Sequence, residues 1–224
     1  MNARSRLSPL LCILSLAAGC AHLDDPFGAY TGIKHPYEWW DGNFRIESDA
    51  IVAVAVLDRR SYVLSGEKPL NFTGTVIDGF GDRFYTVTRS SYPLARDFGE
   101  SIAQALRAGG TETIRVDIQP TYGRRAAKKR LLSEEADRFV LVNLWEWSSN
   151  TFWNTELFYS VEMEIYNRSG KVLASKELQG TDVKFINAFS PGGRSIKVVS
   201  ELYPKKLKEL FLDPKVVDSL TLSD

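Results

Sequence analysis

The chain has 224 residues, 44% of them apolar, with 28 basic and 28 acidic side chains and a formal net charge of zero. That balance argues against nucleic acid as a partner, and the length suits one domain with a sizeable core. Only two histidines and two cysteines are present, so most metal-binding and thiol chemistry has few residues to draw on.

The first nineteen residues have the layout of a secretion signal. Arg4 and Arg6 form a basic head, Leu7 to Leu16 an apolar run, and Ala17-Ala18-Gly19 the small residues before Cys20. The run is shorter than the roughly 20 residues a membrane span needs. Leu16 to Cys20 resembles the lipobox of bacterial lipoproteins, with Ala17 in the place where that family favours leucine. The resemblance implies cleavage before Cys20, a diacylglyceryl group on its sulfur and an acylated amino terminus. Each buried methylene contributes about 0.8 kcal/mol, and more than one acyl chain is needed for stable attachment, so such a Cys20 would fasten the protein to a membrane. By the same likeness, Ala21 in place of an aspartate implies the outer membrane on its periplasmic side. Removing residues 1–19 takes two arginines and no acid, leaving 26 basic against 28 acidic side chains. Cys12 leaves with that segment, so Cys20 is the one remaining cysteine and no disulfide is expected.

Residues 20–48 read as the lipidated cysteine and a tether, broken by Pro26, Gly28, Gly32, Pro36 and Gly42. A flexible coil of that length reaches about 30 Å. Phe27, Tyr30, Tyr37, Trp39, Trp40 and Phe44 give it more aromatic surface than a free linker carries, so part of it is expected to dock.

A single domain is expected over residues 49–224. Ile51 to Leu57 is an apolar run without alternation, the pattern of a strand covered on both faces and central in its sheet. Phe72 to Ile77 and Arg83 to Thr88 suit a hairpin closed by Asp78-Gly79-Phe80-Gly81-Asp82, which lacks the third glycine and following helix of a dinucleotide site. Leu94, Phe98, Ile102 and Leu106 recur every fourth residue and Gly109-Gly110 follow, which predicts a helix over 92–108. A strand is expected over 111–118, a basic helix over 124–136 and a strand over 139–147. Residues 157–165 alternate strictly, Asn167 to Gly170 make a turn, and 171–178 return as its partner. Ile196, Val199, Tyr203, Leu207 and Leu210 mark a last long helix that Pro204 should kink or split, and Asp213-Pro214 opens one more turn. Grouped strands with interspersed helices predict an α+β fold: a mixed, largely antiparallel sheet with two or three helices packed on one face.

The lipobox, a valine-rich first strand ending in Asp58-Arg59-Arg60, an amphipathic helix before Gly109-Gly110, a late hairpin at Asn167 to Gly170 and a terminal helix together resemble the YajG-type bacterial lipoproteins. This likeness of layout spans about residues 50–215 and implies location and fold rather than a reaction. The segment 61–90 and the tryptophans at 145, 147 and 153 have no counterpart in it. A similar layout occurs in lipoproteins that assist lipopolysaccharide assembly and in accessory lipoproteins of lipid transporters.

Both histidines, His22 and His35, fall in the tether, so the domain is expected to offer neither imidazole nor thiol for nucleophilic catalysis or a histidine metal site. Carboxylate-based hydrolysis of cell-wall or glycan material is the enzymatic alternative, with Glu134-Glu135 or Glu162 and Glu164 as its pairs. No cofactor is expected. Arg124, Arg125, Lys128, Lys129 and Arg130 form a basic cluster that could meet phosphates of lipid, against the reading of a solvated face. Trp145, Trp147, Trp153 and Phe158, with Phe152 and Tyr159, form an aromatic group, either core or an exposed patch for an envelope protein, a lipid or a glycan. Trp145 and Trp147 are expected to share a face with Asn143. The function expected is thus a non-catalytic, membrane-anchored envelope lipoprotein that binds a protein or lipid partner.

Overall fold

The computed structural model describes residues 30–37, 49–185 and 190–221. Cys20, the segment before it and the aromatic residues Phe27, Trp39, Trp40 and Phe44 lie outside the described residues.

The elements are β1 (Tyr30–His35), β2 (Val52–Asp58), α1 (Ser61–Leu64), β3 (Phe72–Ile77), β4 (Arg83–Thr88), α2 (Leu94–Ala108), β5 (Thr113–Val116), α3 (Arg124–Leu131), β6 (Arg138–Thr151), β7 (Thr155–Asn167), β8 (Val172–Lys184), α4 (Pro191–Phe211) and α5 (Pro214–Thr221). The fold is α+β, with all eight strands in one mixed sheet. The long ladders β6–β7 and β7–β8 are antiparallel, as is the hairpin β3–β4, while β1–β4, β2–β5, β2–β6 and β3–β6 run parallel.

All seven residues of β2 are buried, because both faces of the sheet are covered there. Val52, Val54 and Val56 join the larger core with Leu94, Phe98 and Ile102 of α2, Tyr203 and Leu207 of α4, and Val216 of α5. Ala53, Ala55 and Leu57 face the other way, toward Ala127 and Leu131 of α3. Three helices therefore share one face, and α3 covers the opposite one. Helix α2 ends in a left-handed Gly110, where Gly110 N–H and Thr111 N–H donate to the carbonyls of Arg107 and Leu106.

Three expectations are corrected, and one element is added. Residues 30–35, assigned to the tether, form β1 because the backbone pairs in parallel with β4, and Tyr37 just after it is fully buried. Strands β6 and β8 run on to Thr151 and Lys184, since the β6–β8 meander stays paired far beyond its apolar stretches. Helix α4 runs unbroken through Pro204, with Tyr203 and Leu207 on either side packed in the core. The short helix α1 carries no periodic pattern that would announce it.

Strand β6 organises the sheet. Strand β7 pairs with it along its whole length, but its other edge is shared: Arg138 to Leu144 runs beside β2 and Ser149 to Thr151 beside β3. The close approach to β3 requires Gly74, which has φ of +153°, and where a Cβ would meet the Ser149 carbonyl oxygen at 2.3 Å. The sheet forks in the gap between β2 and β3, and Arg60 fills the fork.

Candidate functional site

Arg60 has no solvent exposure. Its Nε and Nη2 donate to the Asp58 carboxylate at 2.9 and 2.7 Å, and its remaining N–H groups reach the carbonyls of Phe72 and Leu70 at 2.6 and 3.1 Å. Burial alone would lower its pKa, but the hydrogen bonds and charge of Asp58 outweigh that and hold the guanidinium protonated. The Asp58-Arg59-Arg60 stretch is thus a structural clamp: a buried, paired charge that closes strand ends left without ladder partners.

The aromatic group separates around this fork. Strand β6 carries a bulge between Leu144 and Glu146, so Trp145 is the extra residue and the alternation resets after it. Trp147 consequently points to the same face as Leu144, away from Asn143, which corrects the expected shared face. It is 1% exposed, its indole N–H donates to Tyr37 Oη at 3.0 Å, and Phe98 and Tyr203 pack edge-on against it with ring centroids 4.9 and 5.7 Å away. Trp147 is core and unavailable to a partner. Trp145 is exposed on the other side, with the Arg59 guanidinium 5.5 Å above its ring. Phe158 is half-buried on the outward face of β7, opposite Ser148 and Thr181. Trp153, at the β6–β7 turn, is 76% exposed and among the described residues meets only the Phe152 ring, at 4.9 Å.

The basic helix is largely spoken for. Arg124 bridges Glu162 at 3.0 Å and Glu164 at 2.6 Å, and the hydrogen bond to Glu164 raises its pKa. Lys128 donates to the Gly170 carbonyl at 2.8 Å and lies over the Tyr166 ring, and Arg130 pairs with Glu134. Arg125 and Lys129 alone of the cluster are exposed without a partner among the described residues. Two of the four residues expected to meet phosphate, Arg124 and Lys128, thus already have protein partners. The same contacts occupy the second of the two carboxylate pairs: Arg124 bridges both Glu162 and Glu164, and Asn143 donates to Glu162 at 3.2 Å.

His35 overturns the expectation of a domain without imidazole. Its position in β1 brings it under α4, where Nε2 lies 2.9 Å from Ser195 Oγ, and Ser149 Oγ is 3.4 Å beyond. No sequence signal announces this contact, which spans 160 residues. Histidine and serine are both fully buried, and burial lowers the His35 pKa from 6.5 to about 3, so the ring is neutral. Its Nδ1 has no hydrogen-bond partner among the described residues, so nothing orients it as a base. The pair is a buried polar contact between β1 and α4.

A cleft of about 210 Å³ opens where β2 and β5 end beside the start of α2, lined among others by Val56, Leu70, Arg96, Gly99, Arg115 and Ile118. Arg115 is committed to Glu100 and Asp117, while Arg96 lies over the Tyr92 ring at 3.7 Å. Among the described residues no group of three or more His, Cys, Asp or Glu side chains is placed to hold a metal ion, and no helix is long and apolar enough to cross a membrane.

No protein-family model matches the chain, and no curated protein matches it. Solved structures similar to it include protein XCC0632 from Xanthomonas campestris, of the DUF330 family, with 9% identity over 78% of this chain and 89% of that one at a TM-score of 0.43. The PelC dodecamer from Paraburkholderia phytofirmans is 19% identical over 75% and 90% of the two chains, with a TM-score of 0.37. Lipoprotein GNA1162 from Neisseria meningitidis is 12% identical over 71% and 95%, with a TM-score of 0.29. None of these three is named as a YajG-type protein or as an enzyme.

Proposed function

We propose that the protein is a non-catalytic envelope lipoprotein, anchored by acyl chains on Cys20 to the periplasmic side of the outer membrane, whose domain binds a protein or lipid partner. The lipobox supports the anchor. The partner surface is carried by one observation: Trp145, Phe152 and Trp153 stand exposed on a domain whose core is already filled by Trp147, Tyr37, Phe98 and Tyr203. Large aromatic side chains left at the surface in groups mark contact sites, since burying them against a partner recovers apolar area that folding did not use. A role as accessory lipoprotein in lipid or lipopolysaccharide transport is a finer version of this reading. Metabolic labelling with a fatty-acid probe tests the anchor: the parent chain takes up label and a Cys20→Ser chain does not. Crosslinking in intact cells with Trp145→Ala and Trp153→Ala chains tests the surface, because both residues can be removed without opening the core; unchanged crosslinks in both variants would end the proposal.

A further inference from the structure

Among the described residues, one end of the domain carries most of the bare aromatic surface, and strands β1, β3, β4, β6 and β8 begin or end there. Strands β1 and β4 are parallel and both begin at this end, with Tyr30 beside Tyr85. Strand β3 ends there, as does β6 running parallel to it, since Val76 pairs with Thr151. The last residue of β8, Lys184, pairs with Thr155 at the same level. The β3–β4 turn, the β6–β7 turn and the exit from β8 are therefore neighbours. They carry Phe80 at 95% exposure, Phe152 and Trp153, Val183, and Phe185 at 79%. Elsewhere, exposed aromatic rings are covered by guanidinium groups, Arg59 over Trp145 and Arg96 over Tyr92. Phe80, Trp153 and Phe185 have no such cover among the described residues. The Asp78 carboxylate does not offset Phe80 but serves its own turn, accepting from the Phe80 and Asp82 N–H groups at 2.9 and 3.0 Å.

The chain enters the domain at this same end. Ten Cα-to-Cα steps separate Cys20 from Tyr30. Fully extended they span at most about 35 Å, and as a flexible coil about 19 Å. Tyr30 is level with Asn150 through β4 and β3, and Asn150 lies twelve residues from Arg138 at the far end of β6. At about 3.3 Å per residue that is about 40 Å of strand. If the far end faced the membrane, the arm would be too short to reach its own anchor.

We propose that the end formed by Phe80, Phe152, Trp153, Val183 and Phe185 rests in the interfacial layer of the bilayer that holds Cys20, so that lipid is the partner of this patch. The inference rests on the Cys20 anchor proposed above. Phenylalanine and tryptophan at loop tips suit that layer, where the ring enters the acyl boundary and the indole N–H stays among headgroups. Acidic Asp78 and Asp82 stand beside basic Arg83 and Lys184, so zwitterionic lipid suffices. Trp145, on the side of the sheet near the fork, remains free for a protein.

The test uses the full lipidated chain, in which no thiol remains free once Cys12 has left and Cys20 is acylated. An environment-sensitive dye is placed on Trp153→Cys, Phe80→Cys or, as the far-end control, Ser169→Cys. Each chain is reconstituted on phosphatidylcholine vesicles with brominated acyl chains. The dye at 153 and at 80 is expected to shift to the blue and to be quenched several times more than the dye at 169. A chain that floats with the vesicles but responds equally at all three sites overturns the proposal and leaves the anchor standing. Shielding of 153 only after an envelope protein is added gives the patch to a protein and also overturns it. A chain that does not float removes the anchor, and the argument from its length falls with it.

Discussion

Trp147 and Trp153 lie six residues apart on one hairpin, and the protein treats them in opposite ways. Trp147 is ringed by Tyr37, Phe98 and Tyr203 beneath α2 and α4, whereas Trp153 projects from the turn with Phe152 as its one ring neighbour among the described residues. The difference teaches that aromatic richness in this chain serves two ends: it builds a core on the helix-covered face and leaves a bare surface where the strands end.

The sharpest break of that comparison is substitution of the two tryptophans. Trp147→Ala should lose about 3–5 kcal/mol in urea denaturation, as buried aromatic truncations do, while Trp153→Ala should change stability by about 0.5 kcal/mol or less. Similar losses would mean that the turn is packed after all. Arg60→Ala belongs beside the first, because it strands the buried Asp58 carboxylate and the carbonyls at the fork; a loss of about 3–5 kcal/mol is expected. If Arg60→Ala melted like the parent, the fork would be held by something other than its guanidinium.

Acid sharpens the contrast next. The unfolded His35 imidazole takes a proton below 6.5, the folded one only near 3, so the unfolded state binds the extra proton between those values. Stability from this residue is thus complete above 6.5 and declines as pH falls toward 3, by at most about 1.4 kcal/mol per pH unit. A His35→Gln chain should show a flatter decline over that window in thermal melts, and an unchanged slope would place the acid sensitivity elsewhere. A small effect is also expected from Arg124→Ala. Arg124 is half exposed, so losing its bridges to Glu162 and Glu164 should cost about 1 kcal/mol or less.

Much of the fold was legible because burial left a period behind. Strand β2 is apolar at every position since both its faces are covered, β7 alternates since one is, and α2 repeats every fourth residue. Strand β1 left no such trace. Tyr30 to His35 contains a glycine and a lysine and gains its strand character from pairing with β4, more than fifty residues away. The candidate site was less legible still. A bulge at Trp145 decides which tryptophan faces the core, and the basic helix looked free only because Glu162 and Glu164, which bind Arg124, come from a different element.

By itself, the sequence determined the α+β order of elements, the hydrophobic faces and the likeness of Leu16 to Cys20 to a lipobox, because each is written in spacing between neighbours along the chain. Tertiary structure alone decided that residues 30–35 form a strand, that His35 is buried against Ser195, and that Phe80, Trp153 and Phe185 gather at one end. Those facts depend on which strands pair and in which direction, and pairing joins residues whose separation in sequence carries no period.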